Sequence, residues 1–176
     1  ASAQPLLVWG GLVLSTSLII WLLITNTPRG EGGGSWHLLW ILMTLIGGIY
    51  QYYFNRSWSV PDTIVSRTIG YMWGVFGISV FVLWAINICA ITFGGISVRQ
   101  IIPMTPTIIL LMGLSVALTG LVINRLFISV IGAVACAICA YFSLVNQGVN
   151  ELLCIAVTAV FTLIVPGLYL KFSNGR

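Results

Sequence analysis

The side chains that could ligate a metal or catalyse a reaction are few and lie far apart in the chain. Its 176 residues include one histidine, His37, and three acidic residues. Cys136 and Cys139 are spaced so that both thiols would lie on one face of a helix and could supply two metal ligands. A metal site needs more ligands than that, and Cys89 and Cys154 fall in other segments. We therefore predict no metal, no cofactor and no enzymatic activity, and interpret the cysteines as small apolar side chains.

Four polar residues remain as candidates for binding a small ligand. The amide of Asn87 cannot be satisfied in full by its own helix, so we expect it to bond to another helix or to line a small cavity. The other candidates are Gln51, His37 and Thr158. The hydroxyl of Thr158 has a local alternative, because serine and threonine usually bond back to their own helix.

The composition indicates the environment of the helices that carry these residues. Hydrophobic residues make up 59% of the chain and charged residues 6%, against roughly 25% charged in soluble domains. So few polar residues cannot cover a soluble core, and the exterior must therefore face lipid. The net charge of +4 comes from seven scattered basic residues, which is too sparse for binding nucleic acid.

The apolar stretches predict an all-α, polytopic membrane protein. A spanning helix needs about 20 apolar residues. Six such spans form one transmembrane domain over residues 1–176, at about 6–24, 36–54, 69–93, 107–123, 126–145 and 152–170. The fourth and fifth spans would make a helix of about 58 Å if they were continuous, so we expect the chain to turn back at Asn124-Arg125.

Several residues mark where the helices begin or bend. Asp62 or Thr63 is a suitable N-cap for the third helix. Thr105 followed by Pro106 predicts the start of the fourth helix. Pro166 lies inside the last span and is expected to kink it.

Small residues at helical spacing predict where helices pack closely. One stripe lies on each of the third, fourth and fifth helices, where the absence of large side chains lets two backbones approach. We expect leucine at Gly70 or Gly74 to break the bundle. The stripe residues are Gly70, Gly74 and Gly77 on the third helix, Gly113, Ala117 and Gly120 on the fourth, and Gly132, Cys136 and Ala140 on the fifth.

A weak internal repeat is compatible with three helix hairpins in the same orientation. Trp9-Gly10 matches Trp73-Gly74, and residues 43–56 match residues 112–125 in length and ends. Such parallel repeats recur in transporters.

The basic residues predict the orientation. Six spans place five basic residues on the side that holds both termini and two on the other, which favours cytoplasmic termini in a bacterial inner membrane. The five are Arg56, Arg67, Arg125, Lys171 and Arg176, and the two are Arg29 and Arg99.

Three short motifs carry a resemblance to a known family. Trp9-Gly10, the stretch IGYMWGVFGIS (69–79) and VPGLYLK (165–171) resemble a family of uncharacterised six-helix integral membrane proteins of Bacteroidota. The resemblance implies the six-helix fold and no particular activity. Members have a polar helical segment before the first span, so we expect further sequence to precede Ala1.

Two functions are compatible with these features. The first is a non-enzymatic protein embedded in the membrane that binds lipid, a protein partner or a second copy of itself. The second is a subunit of a small-molecule channel or transporter, which would need a polar cavity between helices near the midplane. No charged residue lies deep within a span, and this argues against ion-coupled transport.

Overall fold

A computed structural model describes residues 4–27, 36, 38–57, 63–95, 97 and 102–173, with the backbone alone for 54–57 and 173. Within these ranges the chain forms helices and no strand, which confirms the predicted all-α fold. The last helical rod has three parts: α6, a π-helical segment (Val160–Ile164) and α7. The helices are α1 (Gln4–Asn26), α2 (Leu38–Ser57), α3 (Ile64–Thr92), α4 (Met104–Val122), α5 (Leu126–Val145), α6 (Glu151–Ala159) and α7 (Val165–Ser173).

The lengths and surfaces of these helices are those of a multi-pass membrane protein. Five rods are long and apolar enough to cross a bilayer: α1, α3, α4, α5 and the last rod, Glu151–Phe172. α2 has 20 residues, but its apolar part, Leu38–Tyr53, is shorter than the others. Large apolar side chains are exposed along every rod, among them Ile19, Ile78 and Leu144. Water would not solvate such a surface, whereas lipid tails do.

The turn between α4 and α5 lies where it was predicted. Asn124 has a φ of 56°, the left-handed conformation that ends a helix. The N–H of Arg125 donates to the Gly120 carbonyl at 2.8 Å, which satisfies one of the last carbonyls of α4. Successive rods run antiparallel, so the molecule has two ends. We call them the α4–α5 end and the α5–α6 end, after the loops they contain.

The N-termini of α3 and α4 were predicted with different success. Thr63 caps α3 through a capping box, in which its hydroxyl accepts from the N–H of Ser66 at 3.2 Å. The predicted start of α4 at Thr105-Pro106 is wrong by two residues, because Pro103 is the N-cap. Pro106 therefore lies in the first turn, where its missing N–H leaves no helical bond unmade.

The irregularity predicted at Pro166 takes the form of a π-helical segment. Pro166 is fully buried and has no N–H to donate to the carbonyl of Thr162, four residues earlier. Directly before it, the N–H of Val165 donates to the carbonyl of Val160, five residues back. The rod is thus locally wider than an α-helix between α6 and α7.

α4 and α5 pack through the predicted small residues. A Cβ atom on Gly113 would lie 2.4 Å from the Cβ of Cys136. One on Gly132 would lie 2.6 Å from the Val116 side chain and 3.7 Å from the backbone N of Ala117. The structure confirms that these small residues let the two backbones approach.

The prediction for the α3 stripe is wrong for the part of the chain that the structure describes. A Cβ atom on Gly70, Gly74 or Gly77 would meet nothing within 4 Å. α3 instead packs on α4 through another side, where Leu83 and Asn87 are buried. The spacing of small residues identifies a smooth face, but it does not tell whether another helix covers that face.

The apolar core lies in α1, α4, α5 and the last rod, with α2 and α3 at its flanks. α2 packs mainly on α1 and α3 mainly on α4. The most extensive packing joins α4 with α5 and α1 with α6, and neither pair is one of the three hairpins suggested by the weak repeat. The repeat stays a prediction. The core cluster near the α5–α6 end contains Ile20, Ile109, Cys136, Cys139, Ala140, Leu152 and Ile155, and the one near the α4–α5 end contains Val116, Ile128 and Leu170.

Candidate functional site

The predicted ligand-binding residues do not form a common site. Asn87 is 4% exposed, and its Nδ2 donates to the Ile102 carbonyl at 3.0 Å. The bond leaves its own helix, but the acceptor belongs to the segment before α4 and not, as had been predicted, to another helix. Asn87 thus fixes α3 against the start of α4.

Of the other three candidates, two form hydrogen bonds and one lies outside the described residues. Gln51 accepts a hydrogen bond from the indole N–H of Trp9 at 3.2 Å, which ties α2 to α1. Thr158 is fully buried and donates to the Cys154 carbonyl at 2.7 Å, within its own helix. His37 is outside the described residues. The described candidates thus lie on different rods: Asn87 and Gln51 bond to other segments of the bundle, and Thr158 bonds to its own helix.

The four cysteines are free thiols. Cys136 and Cys139 belong to the apolar cluster near the α5–α6 end, as their interpretation as small apolar side chains predicts. In the ranges that the structure describes, no three His, Cys, Asp or Glu side chains come together as metal ligands would.

A small cavity lies beside the π-helical segment. Its volume is about 10 Å³, and Trp73, Thr119, Thr162 and Pro166 are among the residues that line it. That volume is about the least that can hold one water molecule. The two threonine hydroxyls donate to carbonyls of their own helices. The cavity is therefore too small for a substrate.

A much larger groove lies on the surface between α3 and α4, and it is the candidate functional site. Its volume is about 320 Å³. Apolar side chains form most of its walls, including Met72 and Val75 of α3 and Leu114 of α4. The complete lining is Thr68, Tyr71, Met72, Val75, Phe76, Ser79, Leu111, Leu114, Ser115 and Leu118.

The way α3 is attached to the bundle explains why this groove exists. Leu83 and Asn87, the buried residues of α3, both lie beyond the groove towards the α5–α6 end. The Trp73 side chain packs instead into the cluster near the α4–α5 end. α3 is thus held at these two places, while a neighbouring face of the helix, which contains Thr68, Val75 and Ser79, leaves an open channel along α4.

The groove has few polar side chains, and they lie at different points along it. The hydroxyls of Thr68 and Ser115 donate to carbonyls of their own helices, at 2.8 Å and 3.0 Å. Tyr71 is 73% exposed and lies one turn along α3 from Arg67, which is also exposed. Thr68 and Tyr71 thus lie where the groove approaches the α4–α5 end, Ser79 and Ser115 lie further along it, and the remaining lining side chains are apolar.

Comparisons of the chain with known protein families, with characterised proteins and with solved structures find no match in any of the three. We therefore infer the function of the chain from its own geometry.

Sequence reasoning missed the groove. Its α3 residues recur at helical spacing, and so do Leu111, Leu114 and Leu118 of α4. That spacing predicts one apolar face on each helix. It does not predict that the two faces lie side by side without closing, because this depends on where α3 is held.

Proposed function

We propose that this chain is a non-enzymatic integral membrane protein that binds a phospholipid acyl chain in the α3–α4 groove. The groove itself carries the proposal. Its volume of about 320 Å³ lies within the usual range for ligand sites. Because it opens sideways from a bundle with an apolar exterior, its mouth faces lipid tails.

The length of the groove suits one leaflet. On α3 it runs from Thr68 to Ser79, which is roughly 16 Å along a helix. Half of a hydrocarbon core is about 15 Å thick. An acyl chain lying in the groove would thus extend from the headgroup level to the middle of the bilayer. Thr68 and Tyr71 would then lie near the glycerol and headgroup.

Native mass spectrometry of the detergent-purified chain tests this proposal. We expect the wild type to retain phospholipid. Leu114→Trp should fill the groove and remove most of that lipid, since Leu114 lines it. Leu121→Trp is the matched control, because Leu121 also lies on α4, is equally exposed (58% against 57%) and is not among the lining residues. It should leave the retained lipid unchanged.

Two results would contradict lipid binding. Equal amounts of lipid on the Leu114→Trp and Leu121→Trp variants would exclude the groove as the binding site. A lipid-free wild-type dimer that Leu114→Trp converts to a monomer would identify the occupant as a second copy of the chain.

The alternative function, a channel or transporter subunit, has less support. It requires a polar cavity between helices near the midplane. The cavity beside the π-helical segment has a volume of about 10 Å³, and the hydroxyls of Thr119 and Thr162 are bonded within their own helices. These features favour lipid binding over the passage of a solute.

The proposed location is the cytoplasmic membrane of a bacterium, with both termini in the cytoplasm. The distribution of basic residues in the sequence supports this orientation, and the resemblance to six-helix proteins of Bacteroidota supports a bacterial source. In this orientation the α4–α5 end, with Arg67, Arg125 and Lys171, faces the cytoplasm.

A further inference from the structure

We infer that Leu83 closes the deep end of the α3–α4 groove and limits the length of the acyl chain that the groove accepts. This inference rests on the proposed function, because it assigns the chain length of the lipid that the groove holds. Lipids whose chains match the groove in length should bind more tightly than lipids with longer chains.

The groove has a buried floor and exposed rims. Ser115 of α4 is buried and forms part of the floor. Tyr71 and Val75 of α3 are exposed and form one rim, and Leu114 of α4 is exposed and forms part of the other. An acyl chain can therefore enter sideways from the surrounding lipid and lie along the floor, in contact with both helices.

The groove-lining face of α3 continues into a side chain that is packed away. Phe76 and Ser79 line the groove, and Leu83 follows Ser79 by one helical turn on the same face of the helix. Leu83 is 8% exposed, and α4 is the helix on which α3 mainly packs. The open space between the two helices therefore ends at Leu83.

A hydrogen bond one turn further along α3 holds this end of the groove closed. The buried Asn87 donates through its Nδ2 to the carbonyl of Ile102, just before α4, at 3.0 Å. Separating the helices near Leu83 would remove the acceptor from a buried amide, which costs free energy. We therefore expect an acyl chain to stop at Leu83 and not to push the helices apart.

The closed end lies near the middle of the bilayer. Ser79 is close to the middle of α3, and the groove is roughly 16 Å long from Thr68 to Ser79. An extended myristoyl chain is about as long as this groove, whereas a stearoyl chain is longer by several methylene groups. Those extra groups would meet Leu83 or bend out over a rim, and a packed region accommodates added methylene groups poorly.

Competition between two lipids that differ only in chain length tests this inference. The purified chain is mixed in detergent with equimolar dimyristoyl- and distearoyl-phosphatidylcholine, and native mass spectrometry measures the ratio of the two bound lipids. We expect the wild type to bind the dimyristoyl lipid about fivefold better. Leu83→Ala should extend the groove and remove most of that preference.

Leu152→Ala is the matched control for Leu83→Ala. It removes the same side-chain atoms from a residue of similar burial, 7% exposed against 8%, that lies on α6 and does not line the groove. It should keep the wild-type ratio of bound lipids. If Leu152→Ala lowered the preference as much as Leu83→Ala, a general loosening of the bundle would be responsible, and the inference would be overturned.

Ser79→Leu tests the same end of the groove without removing an apolar contact. Because Ser79 lines the deep end, leucine there should shorten the groove and shift binding from dimyristoyl- towards dilauroyl-phosphatidylcholine when these two lipids compete. An unchanged ratio would contradict the inference.

The failure of the inference can be told apart from the failure of the proposed function. A wild type that binds the dimyristoyl and distearoyl lipids equally would overturn the inference, even if Leu114→Trp removed both lipids and so supported the groove. If Leu114→Trp left the bound lipid unchanged, the proposed function would fail and the inference with it.

Discussion

At Gly120, α4 lies close to main-chain atoms of α5. A Cβ atom there would lie 2.5 Å from the backbone N and 2.9 Å from the Cα of Ser129. Main-chain atoms cannot rotate away as the end of a side chain can, so the two helices would have to separate. On the lipid-facing side of α3, by contrast, a Cβ atom on Gly74 would meet nothing within 4 Å.

These two glycines give a matched test of helix packing. Gly120→Ala should lower the free energy of unfolding by about 1–3 kcal/mol, because it overpacks the α4–α5 contact. Gly74→Ala should leave it unchanged or raise it by up to about 1 kcal/mol, since alanine favours a helix more than glycine does. Both values can be measured by unfolding in mixed micelles of detergent and SDS. An equal loss for the two variants would show that the α3 stripe is packed after all.

At this scale the sequence predicts which residues can allow close packing, but not which of them do. Gly113, Gly132 and Gly70 are the same residue type at similar spacing, yet a Cβ atom on either of the first two would collide with a neighbouring helix, whereas one on Gly70 would meet no described residue within 4 Å. Asn87 was more predictable, because a buried amide needs a partner beyond its own helix wherever that partner lies.

At the scale of the helix, the Trp9 side chain is one of the contacts that attach α2 to α1. The ring of Trp9 lies over Gly47, where a Cβ atom would come within 2.5 Å of it. The indole N–H of Trp9 also donates to Gln51, one turn further along α2. On Gly48, the next residue, a Cβ atom would meet nothing.

The neighbouring glycines of α2 therefore serve as variant and control. Gly47→Ala should displace the Trp9 ring and lower the midpoint of thermal unfolding in detergent, while Gly48→Ala should not. Because the loss comes from the collision with Trp9, the substitution Trp9→Leu should cost less stability in the Gly47→Ala background than in the wild type. Additive effects of Gly47→Ala and Trp9→Leu would contradict this account, since residues in contact are expected to be coupled.

The sequence predicts the helices far better than it predicts their partners. The fifth span was predicted at 126–145, which are the bounds of α5. Apolar length and the preference of Asn124 for a left-handed turn are properties of the local sequence, so they can be read without the fold. The α3–α4 groove could not be predicted in this way. It depends on where Trp73, Leu83 and Asn87 attach α3 to the rest of the bundle.

At the scale of the whole molecule, the chain forms six helical rods whose exposed surface is apolar. Five rods are long and apolar enough to span a bilayer, and α2 has the shortest apolar stretch. α2 packs on the bundle at both ends: Leu39 and Trp40 pack against the core cluster near the α5–α6 end, and Gln51 accepts a hydrogen bond from Trp9 of α1. This packing supports α2 as a full crossing.

The number of crossings decides where the two ends of the chain lie. Reporter domains that are active only in the cytoplasm or only outside it can be fused to each end in turn, and their activities compared in intact bacterial cells. Six crossings predict that both ends report the same side of the membrane, and the distribution of basic residues predicts that this side is the cytoplasm. Ends that report opposite sides of the membrane would show that one rod, most simply α2, does not cross, and would contradict the account.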